Sequence, residues 1–106
     1  MPDRLTFTAR LWRWTAREES ADTGAWSFVT LPPDVAEEVR HRAGEPRGFG
    51  SVRVRAEVGA TAWDTSVFPD KESGSFVLPV KKAVRVAAGV EEGDELTVTL
   101  AVRDPS

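Results

Sequence analysis

The chain carries one short pattern twice, and this repetition constrains its fold more than any other feature. An apolar, β-favouring run ends in Leu31-Pro32, and a second such run ends in Leu78-Pro79. A segment with helical spacing, a glycine-containing turn and an alternating run follow each of them. We therefore predict two copies of a strand–helix–strand unit, over residues 26–58 and 75–103, which form an internal pseudo-two-fold repeat.

The two helices are predicted from small apolar residues spaced three and four apart. In the second copy this stripe consists of Ala83, Val86, Ala87 and Val90, and the equivalent positions of the first copy are Ala36, Val39, Arg40 and Ala43. Gly89 and Gly44 are expected to end the helices. The alternative is that strand, proline, helix, glycine and strand follow one another twice by chance.

Alternating apolar residues predict the strands. Residues 95–102 and 51–58 close the two copies, and residues 5–11 form an N-terminal strand with one apolar face. Trp12 and Trp14 fall on the opposite face. Either this face is covered, as where a strand curves between two sheets or closes a barrel, or it forms an exposed aromatic wall for a ligand or partner.

Polar, turn-rich stretches interrupt these elements. Thr15–Gly24 is expected to be a long hairpin loop, Glu45–Gly50 a connector, and Pro69–Gly74 a loop that leads into the second copy. At 106 residues the chain is expected to form one domain over residues 1–106.

Composition narrows the cellular setting. The chain has no cysteine, which excludes disulfides and thiolate sites and fits a reducing interior. No apolar run approaches the roughly 20 residues that span a bilayer, and the N-terminus lacks the apolar core of a signal peptide, so we expect a cytoplasmic protein without membrane contact. The net charge of −3 argues against nucleic acid as a partner.

Four motifs spread over nearly the whole chain resemble a bacterial and archaeal family known as domain of unknown function 1905. They begin at Trp26, Arg47, Trp63 and Phe76 and read WSFVTLP, RGFGS, WDTSVFPDK and FVLPVKKAVR. The resemblance implies a mainly β fold, a small closed or pseudo-closed β-barrel of about six to seven strands with two short helices. It implies no established activity.

The second copy also resembles, locally, the swapped-hairpin unit of AbrB-type and antitoxin-type transcription factors. The matching stretch is Leu78-Pro79, the helix, and Gly89–Leu96 with the strand that follows. Those proteins pair two such units in a dimer, whereas this chain would hold both.

Cations at the start of the second predicted helix form the main candidate site. Lys81 and Lys82 lie in its first turn and Arg85 on the same side, where free backbone N–H groups favour anions. Lys71 and Arg47 are further candidates. The alternative is a solvated face, or ion pairs with carboxylates of the first copy at Asp34, Glu37 and Glu38.

Little in the sequence points to catalysis. His41 is the single histidine and is expected at the surface near a helix end, and no metal-ligand spacing or cofactor fingerprint occurs. Thr65 or Ser66 as a nucleophile would need a base, and none stands nearby. A pocket at the mouth of the barrel that serves an enzyme or a carrier is the third-ranked option.

We therefore predict a non-enzymatic binding or interaction module for an anionic small molecule or protein, without cofactor or metal, and monomeric or weakly dimeric. Its ligand would meet the Lys81 end of the second helix or the Trp12 and Trp14 face. The alternative is a nucleic-acid-binding regulator by analogy with AbrB-type barrels. Its basic strand surface would consist of Arg10, Arg13, Arg53 and Arg55.

Overall fold

The computed structural model describes residues 4–14, 26–43 and 50–103, and of Trp14 and Trp26 it describes the backbone only. Its elements are, in chain order, β1 (Arg4–Arg10), β2 (Trp12–Trp14), β3 (Trp26–Thr30), α1 (Pro33–Ala43), β4 (Val52–Val58), β5 (Thr61–Asp70), β6 (Ser75–Pro79), α2 (Lys82–Ala88) and β7 (Glu95–Val102). The predicted loop Thr15–Gly24 and most of the connector Glu45–Gly50 lie outside the described residues. The fold is mainly β, as predicted.

The strands form one curled antiparallel sheet in the order β1-β7-β4-β5-β6-β3-β2. The two ends of this order, β1 and β2, are consecutive in the chain and are separated only by Leu11. β1 pairs with β7 and β2 pairs with β3, so the N-terminal run contacts both ends of the sheet. The sheet is therefore a partly closed barrel, which agrees with the predicted pseudo-closed barrel.

Leu11 marks the bend at which the N-terminal run changes its pairing partner. Its backbone N–H donates to the carbonyl of Asp94 at 2.9 Å, and the N–H of Gly93 donates to the Leu11 carbonyl at 2.9 Å. Arg10 Nη1 also donates to the Gly93 carbonyl at 2.9 Å. The Leu11 side chain is only 1% exposed, so backbone and side chain together hold the bend in place.

The inner face of the sheet and one side of each helix enclose the core. The alternation predicted for β1, β4 and β7 is confirmed, because Phe7, the apolar residues of β4 and those of β7 point inward. The larger, fully buried side chains are Leu11, Val29, Leu31, Val39, Val54, Val67, Leu78, Val80, Leu96, Val98 and Leu100. Apolar burial on this inner face leaves the outer face free to carry polar and charged groups.

Local signals explain where the helices begin and end. Pro33 occupies the first position of α1, where its missing N–H costs nothing, and Asp34 complements the dipole. Gly89 ends α2 in the left-handed conformation at φ 71°, which confirms the predicted helix end. Among the described residues, neither helix is long and apolar enough to cross a membrane.

The predicted buried stripe of α2 is wrong. Val86, one of its members, is 71% exposed, whereas Val84 is only 5% exposed. Val80, which precedes the helix, is buried as well, and Ala88 packs against the core. Val80, Val84 and Ala88, which are spaced four residues apart, therefore determine which side of this short helix faces the core.

The strand–helix–strand order does occur twice, as β3-α1-β4 and β6-α2-β7, and β3 pairs with β6 while β4 pairs with β7. The buried helix positions are not equivalent, however. Ala36 and Val39 of α1 are buried, whereas Ala83 and Val86, the corresponding positions of α2, are exposed. The pseudo-two-fold repeat stays a prediction.

The loop predicted from Pro69 begins two residues later. β5 extends to Asp70 because Pro69 and Asp70 pair with Phe76 and Ser75 of β6. The Asp70 carboxylate then accepts the N–H of Ser73 at 3.1 Å, which closes the turn between the two strands.

Candidate functional site

Lys81, Lys82 and Arg85 lie together on α2, as their spacing predicted. Lys81 is the N-cap residue and Lys82 the first helical residue, and both are exposed. In the part of the chain that the structure describes, neither lysine has a carboxylate within ion-pair distance. The Arg85 guanidinium turns back and donates Nη1–H to the Val80 carbonyl at 2.7 Å, so it supports the start of its own helix.

The other predicted cations are not shown to join this group. Lys71 lies in the turn between β5 and β6, at the opposite end of β6 from Lys81. A five-residue strand is roughly 17 Å long, so Lys71 and Lys81 lie far apart. Arg47 lies outside the described residues.

Trp12 lies on the outer face of β2 and is half-buried. Its ring stands 5.1 Å from the ring of Phe28, the residue opposite it on β3, at an angle of 35°. Its Nε1–H donates to Thr30 Oγ1 at 2.9 Å. The backbone of Trp14 pairs with that of Trp26, two residues further along the same strands. The outer side of β2 and β3 is therefore an aromatic surface whose Trp12 N–H is already satisfied.

A second cationic surface lies on the outer face of the sheet, across β1, β7, β4 and β5. Arg53 lies opposite Ser66, and Arg103 is joined to the Arg53 carbonyl by its backbone N–H at 2.8 Å. One row further along, Arg55 lies between Ala101 and Asp64. We call this surface the arginine face, and it consists of Arg4, Arg53, Arg55, Arg103, Asp64 and Ser66.

One carboxylate organises two of these guanidiniums. Asp64 Oδ1 accepts Nη1–H of Arg55 at 3.0 Å and Nη1–H of Arg103 at 3.3 Å. Arg4 stands 3.9 Å from Glu57, a looser pair. Arg53 has no ion pair with any described residue. Its charge is therefore available to a ligand, beside two arginines whose side chains are held by Asp64.

A depression of about 560 Å³ opens over this surface. Val54 and six residues on or beside the arginine face line this depression. The six are Arg53, Asp64, Thr65, Ser66, Phe68 and Arg103. Phe68 is 43% exposed, which is unusual for so large an apolar side chain. The depression thus combines guanidinium, hydroxyl and aromatic groups.

Sequence reasoning found only part of this site. The alternation of Arg53 and Arg55 with valines places both on one outer face, and the two were named for the alternative function. The sequence does not predict that Arg103 belongs to the site, because its position beside Arg53 depends on the β4–β7 register, which joins residues about fifty positions apart. Arg10 and Arg13, named with them, are not part of the arginine face. Arg10 lies beside Glu95 and donates to Gly93, and Arg13 of β2 pairs with Ser27 of β3.

The described residues contain no group of three or more histidine, cysteine, aspartate or glutamate side chains that could hold a metal ion. The chemistry of the arginine face is that of recognition, because guanidinium groups bind carboxylate and phosphate through paired N–H donors.

Comparison with known proteins agrees with the resemblance seen in the sequence motifs. A search among curated proteins found no match to the chain. The model of the family described as Domain of unknown function (DUF1905) matches residues 7–100, a span that holds all or most of every described strand and both helices. Because this match covers most of the chain, the protein belongs to the Domain of unknown function (DUF1905) family.

Proposed function

We propose that this protein is a non-enzymatic binding module that takes an anionic ligand on the arginine face. One observation carries the proposal. Arg53, which has no ion pair in the described part of the chain, lies between Ser66 and Arg103 on the neighbouring strands and two residues from Arg55, at the depression of about 560 Å³.

The arrangement of Asp64 supports binding rather than mere surface charge. By accepting one N–H from Arg55 and one from Arg103, Asp64 restricts both side chains before a ligand arrives. Each guanidinium has five N–H donors, so four remain on each. A ligand therefore meets donors whose ordering cost is already reduced.

Charge and hydroxyl groups favour an anion of phosphate or carboxylate type. The four arginines of the face outnumber the carboxylates of Asp64 and Glu57, which leaves a local excess of two positive charges on a chain of net charge −3. The Ser66 hydroxyl, opposite Arg53, adds a group that can donate to an anionic oxygen.

The residues of the face favour binding over catalysis. The chain has no cysteine, and its single histidine, His41, lies on α1 rather than on the sheet. The arginine face therefore contains neither a histidine nor a cysteine that could serve as a general base or a nucleophile. A location in the cytoplasm and a monomeric or weakly dimeric state stay predictions from the sequence.

The Lys81 end of α2 is the second place where an anion could bind, and it also stays a prediction. Two exposed lysines that form no ion pair with any described residue favour it. Arg85 supports it less, because its guanidinium already donates to Val80.

A titration with pyrophosphate tests the proposal and separates the two places. Isothermal titration calorimetry at low salt would compare the native protein with Arg53→Ala, and with Lys81→Ala/Lys82→Ala. Arg42→Ala is the matched control, since it removes one arginine from α1 that pairs with Glu38, away from the arginine face. We expect Arg53→Ala to weaken binding about 10- to 100-fold, the usual range for hydrogen bonds to a charged group. Loss of binding in the lysine variant, with Arg53→Ala unaffected, would move the site to α2. No binding by the native protein would refute the proposal.

A further inference from the structure

We infer that the ligand of the arginine face is single-stranded nucleic acid, whose phosphates meet the arginines and whose bases stack on the aromatic residues beside them. This inference rests on the proposed function. It follows from the aromatic and apolar side chains that lie next to the arginine face, on the side toward β2.

Aromatic and apolar side chains extend the outer surface from the arginine face toward β2. Phe68 lies two residues beyond Ser66 on the same side of β5, opposite Val77 of β6, which in turn lies opposite Thr30 of β3. The Thr30 hydroxyl holds the Trp12 indole. We call this surface the aromatic strip, and it consists of Phe68, Val77, Pro79, Phe28 and Trp12.

The dimensions suit an extended chain rather than one small anion. From Arg103, which directly follows β7, to Thr30 on β3, the outer surface crosses four strand intervals. At about 4.8 Å for each interval this is on the order of 20 Å. Phosphate-binding groups lie at one end of this path and stacking groups at the other.

The combination of groups matches single strands in particular. Unpaired bases expose aromatic faces, and proteins bind them by stacking on aromatic side chains beside a positively charged track. Phe68 provides such a ring at the edge of the depression, where it is 43% exposed. In a duplex the base faces are stacked on each other, so Phe68 would gain little from double-stranded DNA.

The net charge of −3, which argued against a nucleic-acid partner, is unevenly distributed over the described surface. Asp34, Glu37 and Glu38 lie on α1, and Glu91, Glu92 and Asp94 lie in the turn before β7. The arginine face keeps its positive excess because these carboxylates belong to other elements.

Fluorescence anisotropy with labelled 12-mers of deoxythymidine and of uridine, at low salt, tests the inference. The variants are Phe68→Ala and Phe68→Leu, with Val86→Ala as the control, because Val86 is an exposed apolar residue on α2. Phe68→Leu keeps apolar packing without an aromatic ring, so it covers the case in which Phe68→Ala fails to fold. We expect either 12-mer to bind, and we expect both Phe68 variants to lose about 5- to 100-fold in affinity, the range for one stacked base. Val86→Ala should bind like the native protein.

Pyrophosphate and an acidic peptide separate the possible failures. Phe68→Leu should bind pyrophosphate as the native protein does, since phosphate contacts need no ring. If pyrophosphate binds and neither 12-mer does, the inference is wrong and the proposed function stands. If neither binds, both are wrong. A poly-glutamate peptide that binds as tightly as the 12-mers, with no effect of Phe68→Leu, would identify an acidic protein partner instead.

Salt dependence gives a second readout. For single strands, log K falls with log salt by about 0.7 for each phosphate contact. Arg53→Ala should therefore reduce the slope by about 0.7, whereas Phe68→Leu should leave the slope unchanged and lower the affinity at every salt concentration. An unchanged slope in Arg53→Ala would contradict the assignment of a phosphate to Arg53.

Discussion

The indole N–H of Trp12 shows how a large aromatic residue can occupy an outer sheet position. The donor is satisfied by Thr30 Oγ1 at 2.9 Å, and the ring packs beside Phe28. A half-buried donor that loses its only acceptor costs more than an exposed one, because water reaches it poorly.

Replacing Thr30 with valine should therefore lower the free energy of unfolding by about 1 kcal/mol, since the shape is kept and the acceptor is lost. Chemical denaturation followed by circular dichroism measures this. Thr97→Val is the matched control, because the hydroxyl of Thr97 meets that of Thr8 at 3.4 Å on an exposed face. It should change stability by less than about 0.5 kcal/mol. Equal losses in both variants would mean that the Trp12 bond contributes nothing specific.

Ser75, the first residue of β6, supplies a buried counterpart. Its Oγ–H donates to the Leu31 carbonyl at 2.8 Å, and the residue is 6% exposed. Ser75→Ala leaves that carbonyl without its hydroxyl donor, so we expect a loss of about 1 to 2 kcal/mol in denaturation experiments. Ser73→Ala is the comparison: it removes only the hydroxyl that accepts the Ser75 backbone N–H at 3.2 Å, at an exposed turn position, so its loss should be smaller. A loss of the same size there would contradict the role given to the Ser75 hydroxyl.

Helix α2 is the element whose packing can be tested most sharply. Val84 is buried and Val86, two residues away, is 71% exposed, so the same substitution probes opposite sides of one helix. Val84→Ala should cost about 2 kcal/mol through lost burial and the cavity left behind. Val86→Ala should be neutral or slightly stabilising, because alanine has the higher helix propensity. Urea denaturation measures both changes. A larger loss of stability in Val86→Ala than in Val84→Ala would show that the buried side is the one predicted from the spacing.

The same helix shows what the sequence could and could not predict. The existence of α2 and its stop at Gly89 follow from local patterns, and both are confirmed. Its buried side does not, because Ala83, Val84, Val86 and Ala87 offer two apolar stripes on one short helix. The choice between them depends on Val80, whose anchoring comes from its N–H bond to the Ser27 carbonyl at 2.8 Å across the sheet.

The arginine face, too, could be predicted from the sequence only in part. Alternation alone places Arg53, Arg55 and Ser66 on outer sides of their strands, which needs no tertiary information. The meeting of Asp64 with Arg103 needs the register of three strands, β5, β4 and β7. The residue pattern within one β-strand does not show which residues of other strands lie beside it. The site could therefore be recognised only from the strand pairing in the structure.

At the scale of the whole molecule, the N-terminal run is the feature that joins the ends of the sheet. β1 completes one end and β2 the other, with Leu11 buried between them. Separation of this run from either partner would open the barrel and expose the core. We therefore expect the described fold to unfold in one cooperative step.

Leu11→Ala tests this closure. The substitution should lower the free energy of unfolding by about 2 to 5 kcal/mol, the range for a buried leucine. Transitions followed by tryptophan fluorescence and by far-ultraviolet circular dichroism should coincide in both the native protein and the variant. Fluorescence that changes well before circular dichroism would show that the β2–β3 end opens independently, against a closure that holds the sheet together.

The central claim is that an anion binds at the arginine face, and nuclear magnetic resonance locates that contact most directly. In a titration of ¹⁵N-labelled protein with pyrophosphate, the Nε–Hε signals of Arg53, Arg55 and Arg103 should shift the most, together with the backbone amide of Ser66. Shifts concentrated at Lys81 and Lys82, or no saturable shift of the arginine signals, would contradict it.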